Sequence, residues 1–97
     1  MTQKEKEEIF KMPFILIHRM IHCIGLDNKK PQNGVYTAYR NLIFNQPEPD
    51  WERLEYDGHA EREDTVDGDI LYRLTDKGFR AVAKRSGLMI RYTKEYQ

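Results

Sequence analysis

The chain has 97 residues, 39% of them hydrophobic and 33% charged, with one tryptophan, six tyrosines, four phenylalanines and one cysteine. That length predicts a single domain spanning 1–97 with one modest core, and the lone Cys23 excludes an intramolecular disulfide framework and fits a reducing compartment. Sixteen basic and sixteen acidic side chains cancel, so the overall balance lacks the positive footprint that phosphate neutralisation asks of a strong DNA binder.

From the N-terminus, Thr2 and Glu5 stand at capping-box spacing and predict a first helix from about residue 3 to Met12. It has only Ile9, Phe10 and Met12 to bury, so residues 1–12 are expected to lie at the domain edge or in a subunit contact. The opening octet mixes lysine and glutamate, which is not expected of a signal peptide. Pro13 suits the start of a second helix, in which Phe14, Ile17, Ile21 and Ile24 recur at helical spacing beside Leu16 and Met20. His18, Arg19 and His22 occupy its other strip, and Gly25 is placed to end it. Phe14 to Leu26 is too short and too interrupted to span a bilayer, and a cytoplasmic location is expected.

Residues 27–34 read as a loop, barred from helix by Pro31 and carrying the turn pair Asn33-Gly34. A third helix is expected over roughly Tyr36 to Phe44, with Tyr39 and Phe44 in the core. Pro47 and Pro49 then interrupt regular structure, and Asp50 has the character of an N-cap for a short helix that carries Trp51 and Leu54 inward and ends near Gly58. His59–Asp64 and Asp69–Leu74 can pair antiparallel around Thr65-Val66-Asp67-Gly68. The period of two puts Ile70, Tyr72 and Leu74 on one face of this hairpin and Leu71 and Arg73 on the other. Thr75 caps a last helix over Asp76–Ser86, with Phe79, Val82 and Ala83 inward and Gly87 beyond its end. Residues 88–97 are expected to form a strand or tail, with Leu88, Ile90 and Tyr92 alternating. The order predicts an α+β, winged-helix-like fold: a short helical bundle, a β-hairpin wing and a C-terminal helix.

The charges are unevenly spread. Residues 1–30 carry six basic and four acidic side chains, 31–75 four and ten, and 76–97 six and two, for net charges of +2, −6 and +4. The helix before the wing, the reading element of a DNA-binding winged helix, presents Asp50, Glu52, Glu55 and Asp57 against Arg53. The wing adds Glu61, Glu63, Asp64, Asp67 and Asp69, so this face repels phosphate. Lys77, Arg80 and Lys84 recur along the last helix, with Arg85, Arg91 and Lys94 nearby, and form a basic face for a partner or for duplex DNA. Asp64, Asp67 and Asp69 are placed to pair with such a face on a neighbouring subunit.

His18 and His22 lie one helical turn apart, but Cys23 points elsewhere, His59 is distant, and no HExxH is formed, so no metal is expected. The acidic hairpin tip lacks EF-hand spacing and is read as a solvated wing tip. No nucleophile stands beside a placed base and no glycine-rich phosphate loop occurs, so neither an enzyme, a cofactor nor a small-molecule substrate is expected.

Trp51-Glu52-Arg53-Leu54-Glu55-Tyr56-Asp57-Gly58, the charged hairpin and Tyr72-Arg73-Leu74-Thr75-Asp76-Lys77-Gly78 resemble the wing region of bacterial winged-helix regulators. More broadly, His22-Cys23-Ile24-Gly25-Leu26-Asp27, Tyr39-Arg40-Asn41 with Phe44, Trp51 and Leu54 with Gly58, and Asp69 to Gly78 resemble a group of small phage and prophage proteins of winged-helix-like appearance and no established activity. The resemblance spans most of residues 22–78, implies no catalytic residue, and places a functional patch around Arg40 and Asn41. The expected function is non-catalytic protein interaction, with a protein partner or a homodimer, and DNA-binding regulation through the basic C-terminal helix is the alternative.

Overall fold

The computed structural model describes residues 2–45 and 48–92. Helix α1, Gln3–Lys11, starts where expected: the Thr2 hydroxyl accepts from the Glu5 N–H at 3.1 Å. Helix α2, Phe14–Cys23, follows after Pro13. Its buried face is Leu16, Ile17, Met20 and Cys23, continued by Ile24. This corrects the expected face, because Phe14 is 70% exposed and Ile21 only half-buried. Phe14 stands in the first turn, where its ring stacks on His18 at 6.2 Å instead of entering the core. Gly25 follows in the left-handed region, φ +80°, and the Leu26 N–H reaches back to the Ile21 carbonyl at 3.1 Å, which closes the helix.

The expected helix over Tyr36–Phe44 does not form. Val35–Thr37 is strand β1 and Ile43–Phe44 is strand β2. Burial alternates over four residues: Tyr36 and Ala38 are in the core, Thr37 and Tyr39 outside it. β-Branched and aromatic residues suit such a half-buried strand. The Tyr36 hydroxyl donates to the Ile24 carbonyl at 2.7 Å, so this extended segment is fixed to the end of α2. Tyr39 and Phe44, expected in the core, are 46% and 53% exposed.

Helix α3, Pro49–Tyr56, begins two residues earlier than expected, with Pro49 in its first turn and Glu48 at the N-cap position. Asp50 therefore lies inside the helix, and with Glu48 it holds Arg19 of α2 at 3.2 and 3.3 Å. Strands β3, Ala60–Asp64, and β4, Ile70–Leu74, form the hairpin. Its tip closes through Thr65, whose N–H donates to the Asp69 carbonyl and whose hydroxyl accepts the Asp69 N–H. Helix α4, Asp76–Ser86, is capped by Thr75 and ended by Gly87 in the left-handed region, as expected, although Ala83 is only half-buried while Gly78 and Ala81 are buried. Strand β5, Met89–Arg91, lies parallel to β1, with Tyr36 opposite Ile90.

The main sheet has the order β2-β4-β3, all antiparallel, and the second sheet pairs β1 with β5. The fold is α+β and winged-helix-like, with four helices, a hairpin wing and a small separate sheet among the described residues. Trp51 of α3 stacks on Tyr72 of β4 with centroids 5.2 Å apart, and Met20, Leu54, Leu74 and Val82 pack in the same core. Leu71 is buried too, although it shares its strand face with the half-exposed Arg73.

Candidate interaction surfaces

The expected basic face on α4 is largely occupied from within the chain. Ile9 is 1% exposed in the core, and its burial, worth about 1.5–3 kcal/mol, sets α1 against α4. Arg80 Nε donates to Glu5 Oε1 at 3.0 Å. Arg85 donates to the carbonyls of Ile9 and Met12 at 2.9 and 2.7 Å, where the C-terminal end of α1 favours a cation. Lys77 Nζ donates to the Asp57 carbonyl at 2.9 Å and lies 3.9 Å from Glu8. The Lys84 ammonium sits 6.0 Å from the centre of the Phe10 ring. Arg91 is instead exposed on β5, and Lys94 lies outside the described residues.

The acidic face is more open. In α3, Arg53 pairs with Asp57 at 2.8 Å and its guanidinium lies 5.9 Å from the centre of the Tyr56 ring, while Tyr56 itself is 84% exposed. On the wing, Arg73 holds Glu63 and Arg62 holds Asp64, both at 2.7 Å. Asp69 accepts a 3.4 Å hydrogen bond from Asn45, and Asp67 is exposed at the tip. Glu52, Glu55, Glu61 and Asp67 are exposed and form no ion pair among the described residues.

Arg40 and Asn41 have different roles. Asn41 is buried opposite the register position of Leu74, two residues before β2 begins. Its Oδ1 accepts the Leu74 N–H at 2.8 Å and its Nδ2 donates to the Leu74 carbonyl at 3.0 Å. The side chain thus continues the β2 ladder where the backbone has left the sheet. Arg40 is half-exposed, donates to the His22 carbonyl at 2.8 Å and lies 5.5 Å from the centre of the Tyr39 ring.

His22 bonds to Asp27 at 2.8 Å and His18 stacks on Phe14, and no group of three or more metal-ligating side chains occurs among the described residues. Cys23 is fully buried, and burial pushes its thiol up to about 12, which leaves it un-ionised and unreactive. His59, 3% exposed, lines a cleft of about 630 Å³ with Met12, Leu16, Glu8 and Lys77. Its Nδ1 is buried without a hydrogen bond, and burial, reinforced by Lys77, holds its pKa below the usual imidazole value.

The sequence reading missed the acidic partners of α4, although Glu5 and Glu8 stand three apart on the first helix. It also passed over Lys29 and Lys30, where adjacent lysines in a loop were the available signal. No helix among the described residues is long and apolar enough to cross a membrane. Comparison with known protein families, characterised proteins and solved structures finds no match to this chain.

Proposed function

We propose that this chain is a non-catalytic protein-interaction module that uses the outer face of α3 and the adjoining wing to bind a basic protein surface. The observation that carries this reading is the contrast between its two charged faces. Four cations of α4 are engaged by α1 and by the end of α3, whereas Glu52 and Glu55 are exposed on the same helix as the exposed Tyr56. Tyrosine is a frequent interface anchor, and acid around it supplies steering and register. A homodimer that paired one copy's wing with another's α4 would compete with α1 for the same cations, so a different basic partner is favoured.

The test uses a nona-arginine peptide as the probe and amide chemical shifts as the readout. The expected shifts cluster at Glu52, Glu55 and Tyr56, and Tyr56→Ala weakens binding about fivefold or more, in the range of one anchoring side chain. Duplex DNA is then titrated into the wild type and into the Lys77→Ala, Arg80→Ala, Lys84→Ala variant, with equal affinities expected. Absence of the cluster, or loss of duplex affinity in that variant, would move the reading to nucleic-acid binding through α4.

A further inference from the structure

The β1–β5 sheet carries a second charged surface, independent of the α3–wing face. A cleft of about 410 Å³ is bounded by Lys29, Lys30, Gln32, Asn33, Thr37 and Arg91. Three of these residues are cations and none is acidic, and Lys29, Lys30 and Arg91 form no ion pair among the described residues. The fold makes this cluster from distant sequence: Thr37 and Arg91 are directly opposed in the parallel β1–β5 register, and the Ala38 N–H donates to the Arg91 carbonyl at 2.9 Å. Three like charges gathered without a counter-ion repel one another, and an anion between them relieves that repulsion. Gln32, Asn33 and Thr37 add amide and hydroxyl donors suited to phosphate oxygens.

Beside the cleft stands an aromatic platform. Tyr39 is 46% exposed, and its ring occupies space that Gly25 leaves open, since a Cβ there would come within 2.5 Å of the ring. The Lys29 ammonium lies 5.7 Å from the ring centre and also borders the cleft, so one side chain joins the two features. Exposed aromatic rings beside backbone-tracking cations are the means by which nucleotides are held without base-specific hydrogen bonds.

We propose that this cleft binds the phosphate of a nucleotide unit through Lys29, Lys30 and Arg91, with the base stacked on Tyr39. Lys29 turns from the ring toward the phosphate, and the base takes the ring face it leaves. The same chemistry serves a free nucleotide or a single strand, and the two sources are separated by experiment.

Uridine, uridine 5′-monophosphate, inorganic phosphate and a twelve-residue oligothymidylate are titrated into the full chain and followed by amide and aromatic chemical shifts. Phosphate and the monophosphate are expected to shift Lys29, Lys30, Thr37 and Arg91, the monophosphate alone among those two to shift the Tyr39 ring, and uridine to do neither. Oligothymidylate affinity about tenfold or more above that of the monophosphate identifies a strand as the natural source, and a smaller ratio identifies the free nucleotide. About three phosphate contacts on a single strand give a logarithmic salt slope near −2, or roughly tenfold to twentyfold weaker binding from 50 to 200 mM salt. Lys29→Gln, Lys30→Gln, Arg91→Gln together lower affinity about tenfold or more at an unchanged thermal midpoint, because Lys29, Lys30 and Arg91 are all exposed, and Lys77→Ala, Arg80→Ala, Lys84→Ala leave it within about twofold. The proposal is overturned by no binding at low salt, by equal responses to uridine and its monophosphate, or by a triple glutamine variant that binds as the wild type does.

Discussion

Replacing Asn41 by leucine separates its two available meanings, a surface recognition residue and a piece of the sheet. Leucine has nearly the same bulk and no polar atoms, so the change leaves the Leu74 N–H and carbonyl without the partners they have at 2.8 and 3.0 Å. Leu74 is 4% exposed, so water does not readily replace them. Each buried unpaired group costs about 1–3 kcal/mol, and the pair therefore costs about 2–6 kcal/mol, against a total folding free energy of about 5–15 kcal/mol for a domain of ordinary stability. With a urea dependence of about 1–3 kcal/mol per molar, the midpoint of urea unfolding should fall by about 1 M or more. The neighbouring Arg40→Gln, which removes one hydrogen bond to His22, should cost about 1–3 kcal/mol at most. Asn41→Asp adds a readout that bulk alone cannot produce. Its carboxylate still accepts from the Leu74 N–H but faces the Leu74 carbonyl, whereas the protonated acid can donate to that carbonyl as the amide does. Burial against a carbonyl raises the acid's folded-state pKa, so this variant should gain stability relative to wild type as pH falls through that value. An Asn41→Leu midpoint within about 0.3 M of wild type, a fraction of the shift worked out above, would refute the ladder role.

Gly78→Ala brings a Cβ into the His59 carbonyl oxygen and within 3.2 Å of Leu74 Cβ; the overpacking, about 1–3 kcal/mol, should exceed the helix-propensity gain of about 1 kcal/mol, and a thermal midpoint at or above wild type would refute this. His59 is held below the ordinary imidazole value of 6.5 by burial and then Lys77, against the opposing pull of Asp57, Glu8 and Glu5. The unfolded chain therefore binds its proton first, so its contribution to stability is complete above about pH 6.5 and declines as pH falls toward the folded value, by up to about 1.4 kcal/mol per unit; urea midpoints at pH 7 and pH 5 should differ more in wild type than in His59→Phe, and equal differences would count against it. Arg85→Met removes both hydrogen bonds to the end of α1, and amide exchange in residues 6–12 should quicken about fivefold to 150-fold, corresponding to about 1–3 kcal/mol of lost local protection; unchanged exchange would show that Arg85 does not hold α1.

The parts of the fold legible in the sequence were those decided by neighbours in the chain. Thr2 and Thr75 cap their helices through N–H groups three residues on, and Thr65 to Gly68 turn the hairpin within its own residues. The segment Tyr36–Phe44 was misread because its partners are remote: β1 pairs with β5, more than fifty residues later, and β2 is completed by a side chain. Its alternation of burial has a period of two, but short apolar runs do not separate strand from helix without that context. Phe14 misled the assignment of the α2 face for a related reason, since helical spacing defines a stripe but not how much of its first turn reaches the core. Among the candidate sites, the basic composition of α4 was readable, whereas the approach of Glu5 and Glu8 required the packing of Ile9.

Net charge by segment suggested a basic end available to an acidic partner, and the folded chain explains why that sum misleads. Glu5 and Glu8 belong to a segment that is positive overall, yet both sit beside α4 cations, so the relevant sum runs over a surface and not over a stretch of sequence. With the paired groups set aside, and apart from Lys4, Lys6, Glu7 and Lys11 of α1, which also form no ion pair among the described residues, acid remains at Glu52, Glu55, Glu61 and Asp67, and base remains at Lys29, Lys30 and Arg91. These sets lie on different elements: α3 and the wing on one side of the accounting, the α2–β1 loop and β5 on the other. Surface ion pairs are individually weak, about 0–1 kcal/mol, so the α1–α4 pairs do little to hold the fold. Their larger effect is to lower the charge that α4 offers to other molecules, which favours recognition at the two surfaces that keep charges without an ion pair among the described residues. A polyanion competes for the basic cleft and is repelled by the α3–wing face, while a polycation does the reverse, so the two binding reactions are separable even though both weaken with salt.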